Sequence, residues 1–447
     1  MKFALINPAW TFDGGIYFGC REPHLPLEYG YARARLQAAG HDAEIFDGQL
    51  GIGLPGDAET PPTTAALLDA VRAWRPDVAV VTTAPSYLFW RCAPPELRVP
   101  QEIVRALRDS VPAIVAVGPH ASTSPDVTLR KLGVDAAVVG ECEDVLPQLA
   151  APASDWTAIP SLCTWKGRAP HVHGGRASCD MSQLPALHWS AETIRAHRHH
   201  HHRFDAAPSG PGAEMESSRG CPYHCTFCAK DNFRNHYRKR PLAAIVEELD
   251  GLQAHGVEYV YFIDEIFLPN RELLQTLAGR GLKIGVQTRI DLWTPELLDR
   301  LATAGCVSIE AGVESISVAG RNLLDKDSRL TTEQITERLI YARQRVPFVQ
   351  ANLIDAQVDA PDAVERWRAH LAGHGVWANK PVPLFPYPGS PDYTRRWGTP
   401  DDVAWERAMH YYLDHFVEFS DIQDERPRPL EELELAPAGP PERVLRG

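Results

Sequence analysis

The chain has 447 residues, 44% of them hydrophobic, and a net charge of −13 from 58 acidic and 45 basic side chains. This length suggests two domains and a linker, and the acidic balance argues against a nucleic-acid surface, which needs a basic patch. No apolar run reaches the ~18 residues of a membrane span, and the opening Met1-Lys2-Phe3-Ala4-Leu5-Ile6-Asn7 reads as a buried strand, too quickly polar for a signal peptide. A cytoplasmic location is therefore expected.

Residues 1–150 alternate strand and helix. Strands are expected at 3–7, 43–46, 78–82, 113–117 and 136–139. They are apolar and show little alternation, as strands buried on both faces should. Helices are expected at 28–39, 64–74, 101–109 and 127–132. The alternation implies an α/β, doubly wound, Rossmann-like sheet whose ligands bind at the carboxyl ends of the strands. Those ends carry residues 8–10 and 82–86 and the run Gly118-Pro119-His120-Ala121-Ser122. The loops 17–24 and 87–92 mix polar and aromatic groups and are expected mainly to pack against a second domain.

Residues 151–212 read as a linker. A hairpin is expected where 161–165 and 171–173 flank Lys166-Gly167-Arg168. Beyond it lie His197 and the four consecutive histidines His199, His200, His201 and His202. Such tracts can bind metal, but adjacent residues cannot all face one ion, so a solvated or substrate-facing segment is the expectation. Residues 213–395 then give six strand–helix units, with strands at 213–218, 258–263, 284–288, 307–311, 348–354 and 378–384. A complete eight-unit barrel needs about 250 residues. Six units fit a partial (β/α)6 barrel. Residues 396–447 are expected as a helix at 403–414 and a charged, Pro-rich tail.

The first barrel strand delivers Gly220-Cys221-Pro222-Tyr223-His224-Cys225-Thr226-Phe227-Cys228. The C-x3-C-x2-C spacing turns three thiolates toward one point. Three thiolates can hold three irons of a [4Fe–4S] cluster and leave the fourth open. Zinc sites more often pair C-x2–4-C knuckles with a fourth ligand. The other cysteines (Cys20, Cys92, Cys142, Cys163, Cys179 and Cys306) are scattered, as packed thiols of a reducing compartment are. The remaining strand ends are polar too, and six of them converging suggest one site.

With Ser218-Arg219-Gly220 before it, the motif resembles the signature of the radical S-adenosylmethionine (SAM) superfamily. The first domain resembles the cobalamin-binding domain of one branch of that superfamily, on Gly118 with His120 and on Gly140-Glu141. The resemblance covers roughly residues 1–393. It implies a [4Fe–4S] cluster on Cys221, Cys225 and Cys228, with SAM chelating the open iron and an external one-electron donor such as flavodoxin. It also implies that cobalamin could bind. The D-x-H-x-x-G motif is absent, however, and the fold alone does not decide the matter.

By the same resemblance, Phe227 contacts the adenine side of SAM, and Asp264-Glu265 stands at the backbone-contact motif for its amino group. Gln287 belongs to the same set of strand ends. Arg289 can face the SAM carboxylate, which suits bidentate geometry. Glu314 and Ser315 lie in a G-x-E-S motif, with Glu314 placed for the ribose hydroxyls. Two reactions compete. The favoured one is dehydration of a hydroxylated amino-sugar, as in dehydratases of aminoglycoside pathways within the superfamily. There Glu216, Glu310 or Asp355 would supply the acid for the departing hydroxide. The alternative is cobalamin-dependent methyl transfer.

Overall fold

The computed structural model describes residues 1–10, 24–55, 62–84, 97–197, 210–234 and 236–414, together with Pro440. Most of the loops 17–24 and 87–92, the four-histidine run and the tail from 415 to 439 lie outside the described residues.

The first layer is a seven-stranded sheet with helices on both faces. In chain order it runs β1 (Lys2–Asn7), α1 (Leu27–Ala38), β2 (Asp42–Asp47), α2 (Thr64–Trp74), β3 (Val78–Thr82), α3 (Arg98–Leu107), β4 (Ala113–Val117), α4 (Pro119–Thr123), α5 (Pro125–Leu132), β5 (Ala136–Val138), β6 (Leu162–Lys166) and β7 (Ala169–His173). The spatial order is β2-β1-β3-β4-β5-β6-β7. Strands β1 to β5 are parallel, as expected of runs such as Val78-Ala79-Val80-Val81, every residue of which is buried. The hairpin expected in the linker is present, with Gly167 at φ +63° in its turn. It does not stand apart, because β6 pairs antiparallel with β5 and extends the first sheet. Leu162, Cys163 and Trp165 are buried, which holds the hairpin on that edge.

The second layer begins after α6 (Ala191–Ala196). It runs β8 (Gly212–Met215), β9 (Ser218–Arg219), β10 (Arg238–Lys239), α7 (Leu242–Ala254), β11 (Tyr259–Phe262), α8 (Arg271–Leu277), β12 (Lys283–Thr288), α9 (Pro295–Thr303), β13 (Cys306–Glu314), α10 (Val318–Leu323), α11 (Thr332–Arg345), β14 (Phe348–Asp355), α12 (Pro361–Gly373), β15 (Trp377–Ala378) and β16 (Val382–Pro383). The sheet order β8-β11-β12-β13-β14-β15 follows the chain, and every pair is parallel. Among the described residues β8 and β15 do not pair, so the barrel is partial and open. The last expected strand is split into β15 and β16. Asn379 lies between them, and its side chain bonds the Leu353 N–H (2.7 Å) and C=O (3.0 Å) in place of a backbone ladder. Helices α13 (Pro391–Trp397) and α14 (Ala404–Asp414) follow. Helix α14 returns to the first domain, where Glu406 pairs with Lys131 at 2.5 Å and Asp402 pairs with Arg130.

Candidate active site

The three cysteines sit on a loop framed by the two-residue ribbon β9–β10, which pairs Arg219 with Arg238 and Ser218 with Lys239. Gly220 opens the loop at φ +78°. A Cβ there would meet the His236 carbonyl oxygen at 2.1 Å, so only glycine fits. The Gly220 N–H donates to Glu265 Oε2 at 2.7 Å. Asp264 fixes the approach to the loop, accepting from the Ser217 N–H (2.7 Å) and from the hydroxyls of Ser217 (2.6 Å) and Ser218 (2.5 Å). Burial pushes the Asp264 carboxyl up to about 7 in spite of those bonds. Farther along, the Thr226 N–H bonds the Leu324 carbonyl at 3.0 Å, and the Thr226 hydroxyl bonds Asp392 at 2.9 Å. The loop is therefore tied to the end of α10 and to the first turn of α13. All three thiols are partly exposed. Burial raises Cys221 and Cys225 and pushes Cys228 up to about 12. Unligated, they would stay protonated at neutral pH; iron would replace those protons. Three thiols on one braced loop, with no fourth cysteine beside them among the described residues, fit a three-cysteine cluster.

Around this loop the structure gathers several of the expected cofactor residues. Arg289 lies over the Tyr223 ring at 3.9 Å and pairs with Asp291 at 2.7 Å. Lys326, Glu314 and Arg289 all act electrostatically on Cys225, and Lys230, Glu265 and Arg289 act on Cys221. Glu314 ends β13 at φ +65°, a conformation that a side chain rarely adopts, and it pairs with buried Lys326 at 2.6 Å. Such strain clusters at functional sites. Phe227 is half-buried within the loop. Gln287, Glu310 and Gln350 stand in register across β12, β13 and β14, forming one polar row.

Three expected site residues fall elsewhere. Ser315 is fully buried and bonds Asp359 at 2.6 Å, where it holds the turn into α10. Asp355 is exposed at the end of β14 and accepts from the Gln357 N–H at 2.9 Å, capping the turn. Glu216 lies in the seam between the domains. One of its oxygens takes Arg219 Nη2 at 2.9 Å and the other takes Arg234 Nη1 at 2.7 Å. Burial alone would raise Glu216, yet the two guanidiniums outweigh it and lower its pKa. A carboxyl so held cannot donate a proton near neutrality, so its geometry suits docking and not acid catalysis.

Residues that the sequence did not single out complete the site. Lys326 partners the expected Glu314 and Gln350 completes the polar row, while Arg289 is partnered by Tyr223 of the cysteine motif and by Asp291 of its own strand end. Gln350 lies two residues before Asn352 in β14 and shares its face, as the period-2 alternation of a strand requires. Lys326 gave no such signal, because it comes from the loop after α10.

At the carboxyl ends of the first sheet, the positions that carry the cobalamin resemblance are taken up by the chain itself. His120 is buried beneath Trp405 of α14, with ring centroids 4.3 Å apart. A Cβ on Gly140 would meet the Ala177 carbonyl oxygen at 2.3 Å. Glu141 is bound by Arg238 through two bonds of 2.7 Å. Among the described residues, the ends of β4 and β5 are thus packed against α14, the Ala177 backbone and Arg238.

Residues 215–356 match the family model described as the radical SAM superfamily. An uncharacterized methyltransferase of Pyrococcus horikoshii is 23% identical over 330 residues, covering 71% of this chain and 66% of the relative. The hopanoid C-3 methylase of Methylococcus capsulatus is 25% identical over 347 residues, covering 74% and 60%. The chain thus spans about two thirds of these relatives or less. Among solved structures, the radical SAM methyltransferase TsrM of Kitasatospora setae, with cobalamin and a [4Fe–4S] cluster bound, superposes with a TM-score of 0.65 at 18% identity. That match covers 88% of this chain and 75% of TsrM, and it shows a shared fold. Among the described residues, no helix is long and apolar enough to cross a membrane.

Proposed function

Since residues 215–356 form a radical SAM domain behind a cobalamin-binding-type domain, we propose that this chain uses a [4Fe–4S] cluster and SAM to abstract hydrogen from a polar small molecule. The observation that carries the reading is the braced three-cysteine loop with Arg289, Glu314 and Lys326 set around it. Cys221, Cys225 and Cys228 would ligate three irons. When bound and reduced, the cluster supplies the electron that cleaves SAM to methionine and a 5′-deoxyadenosyl radical. Arg289 can take the SAM carboxylate, and the Glu314 carboxylate can accept from ribose hydroxyls. The row Gln287, Glu310 and Gln350 offers donors and acceptors for a hydroxylated or amino-bearing substrate.

The methyltransferases among the similar proteins support methyl transfer over the dehydration favoured by the sequence reading. Dehydration keeps one specific support, the closure of the β4 end by Trp405 on His120. Glu310, in the polar row, is the acid candidate whose placement suits it. One experiment decides between them. Reduced, anaerobic protein is incubated with SAM and candidate amino-sugars, with and without added cobalamin. 5′-Deoxyadenosine should form, and Cys225→Ala should abolish it; SAM cleavage by that variant would overturn the cluster. A product heavier by one CH2 unit, dependent on cobalamin, supports methyl transfer. A product lighter by one water without cobalamin supports dehydration.

A further inference from the structure

Apart from the cysteine loop, His24, His197 and Glu214 converge from three separate segments, and all are almost wholly buried. His24 leads into α1, His197 follows α6 and Glu214 lies in β8. His197 Nδ1 is 2.8 Å from the Gly212 carbonyl oxygen. A carbonyl can only accept, so Nδ1 carries the hydrogen. The neutral ring then presents a bare lone pair at Nε2. That atom faces the Glu214 carboxylate, 2.8 Å from Oε2 and 3.0 Å from Oε1. Two acceptors at such a separation repel unless a positive centre lies between them. On the other side, His24 Nδ1 is 2.9 Å from Glu214 Oε1. The Leu25 N–H supports Oε2 at 3.3 Å.

We propose that His24 Nδ1, His197 Nε2 and the Glu214 carboxylate bind one divalent transition metal, zinc by ligand type, as a structural site separate from the cluster. His24 Nδ1 and His197 Nε2 lie 2.9 Å and 2.8 Å from the Glu214 oxygens, separations that two bonds of about 2.0–2.2 Å to one ion span. The backbone carbonyl on His197 Nδ1 is the kind of outer partner that orients a metal-bound imidazole. The second carboxylate oxygen is available for a fourth bond. The metal would tie the segment before α1 to β8, the strand that leads through Ser218 to the cysteine loop. It would thereby set the depth of the loop against the first domain.

The competing occupant is a proton, which would make His197 an imidazolium. The test measures iron and zinc by mass spectrometry in full-length, cluster-reconstituted protein, expressed with zinc and prepared without a polyhistidine tag. One zinc per chain is expected after dialysis against a weak chelator. His197→Gln and Glu214→Gln should each lower retained zinc by about tenfold or more, with iron unchanged. A chain with His199, His200, His201 and His202 all replaced by Gln should keep its zinc. Zinc-free wild type, or zinc lost with the histidine run, overturns the proposal. Should the single variants fail to fold, anomalous scattering at the zinc edge from wild-type crystals decides. A peak between the three side chains supports the site, and a peak elsewhere or none overturns it.

Discussion

Two residues near the cysteine loop hold unfavourable states, and each gives a prediction. Glu314 keeps a positive φ that costs on the order of 1–3 kcal/mol, with Lys326 against its carboxylate. Glu314→Gln retains the shape and removes the anionic acceptor. SAM binding should weaken by about tenfold, or ~1.4 kcal/mol, in calorimetry, with thermal stability little changed. Equal affinity would separate Glu314 from SAM. Asp264 is shifted upward, opposite to Glu216, which directly precedes the two serines that bond it. An unfolded Asp ionises near ~3.9, while burial pushes folded Asp264 up to about 7. Between those values the folded chain holds a proton that the unfolded chain lacks, so this contribution falls as pH rises from about 4 to about 7 and amounts to at most ~4 kcal/mol. Asp264→Asn should therefore gain more stability over wild type in urea at pH 8 than at pH 5. Parallel pH profiles would refute it. The cysteines and the Arg289 and Glu314 positions were legible because a motif carries them. Asp291 was legible with Arg289, two residues before it, whereas Lys326 was not, since it reaches Glu314 from the loop after α10.

At the level of elements, the cysteine loop depends on the turn that opens it. Gly220→Ala would add both the positive-φ strain and a 2.1 Å backbone clash with His236. The expected loss is at least ~2 kcal/mol, accompanied by reduced iron per chain. Gly40→Ala is the control, because Gly40 shares a positive φ of +82° but has nothing within 4 Å of its Cβ position. It should lose only about 1 kcal/mol and no iron. If both variants keep full iron, the turn does not set the loop. Most strands were legible because β3, β4 and β11 are uninterrupted apolar runs between helical stretches. The break between β15 and β16 was not, because it depends on Asn379 reaching back to Leu353, a pairing 26 residues away in sequence. The place of the hairpin was hidden for a similar reason. Its turn chemistry predicts a hairpin, but nothing in the turn says which sheet edge receives it.

Across the whole molecule, the two domains meet through a buried ionic seam and not an apolar face alone. Arg219, Arg234 and Arg238 are set among Glu28, Glu141, Glu143, Glu216 and Glu265. With five carboxylates and three guanidiniums, not all the acids gain equally from ionising. Burial raises Glu143 and Glu265. Burial would raise Glu141 too, but the Arg238 hydrogen bonds and the Arg219 and Arg234 charges hold it at about 2. A depressed carboxylate stabilises the fold above its unfolded value near ~4.3. That contribution is lost as pH falls toward about 2, while Glu143 and Glu265 act in the opposite direction. Acid should therefore weaken the seam through Glu141 and Glu216, both held low, as pH falls below about 4, read as faster proteolysis between the domains before the barrel unfolds. Arg219 is the keystone by contact, bonding Glu143 at 2.6 Å and Glu216 at 2.9 Å while fully buried. Arg219→Met would leave both carboxylates without this partner, a change that costs about 3–5 kcal/mol for buried pairs. Arg271→Met would break an exposed pair with Glu296, where both side chains are more than half exposed, and should change stability by only about 0–1 kcal/mol. Because Arg219 directly precedes Gly220 and the cysteines, loss of the seam should also lower SAM cleavage. An Arg219→Met chain with full stability and full SAM cleavage would mean that the seam neither holds the domains nor positions the loop.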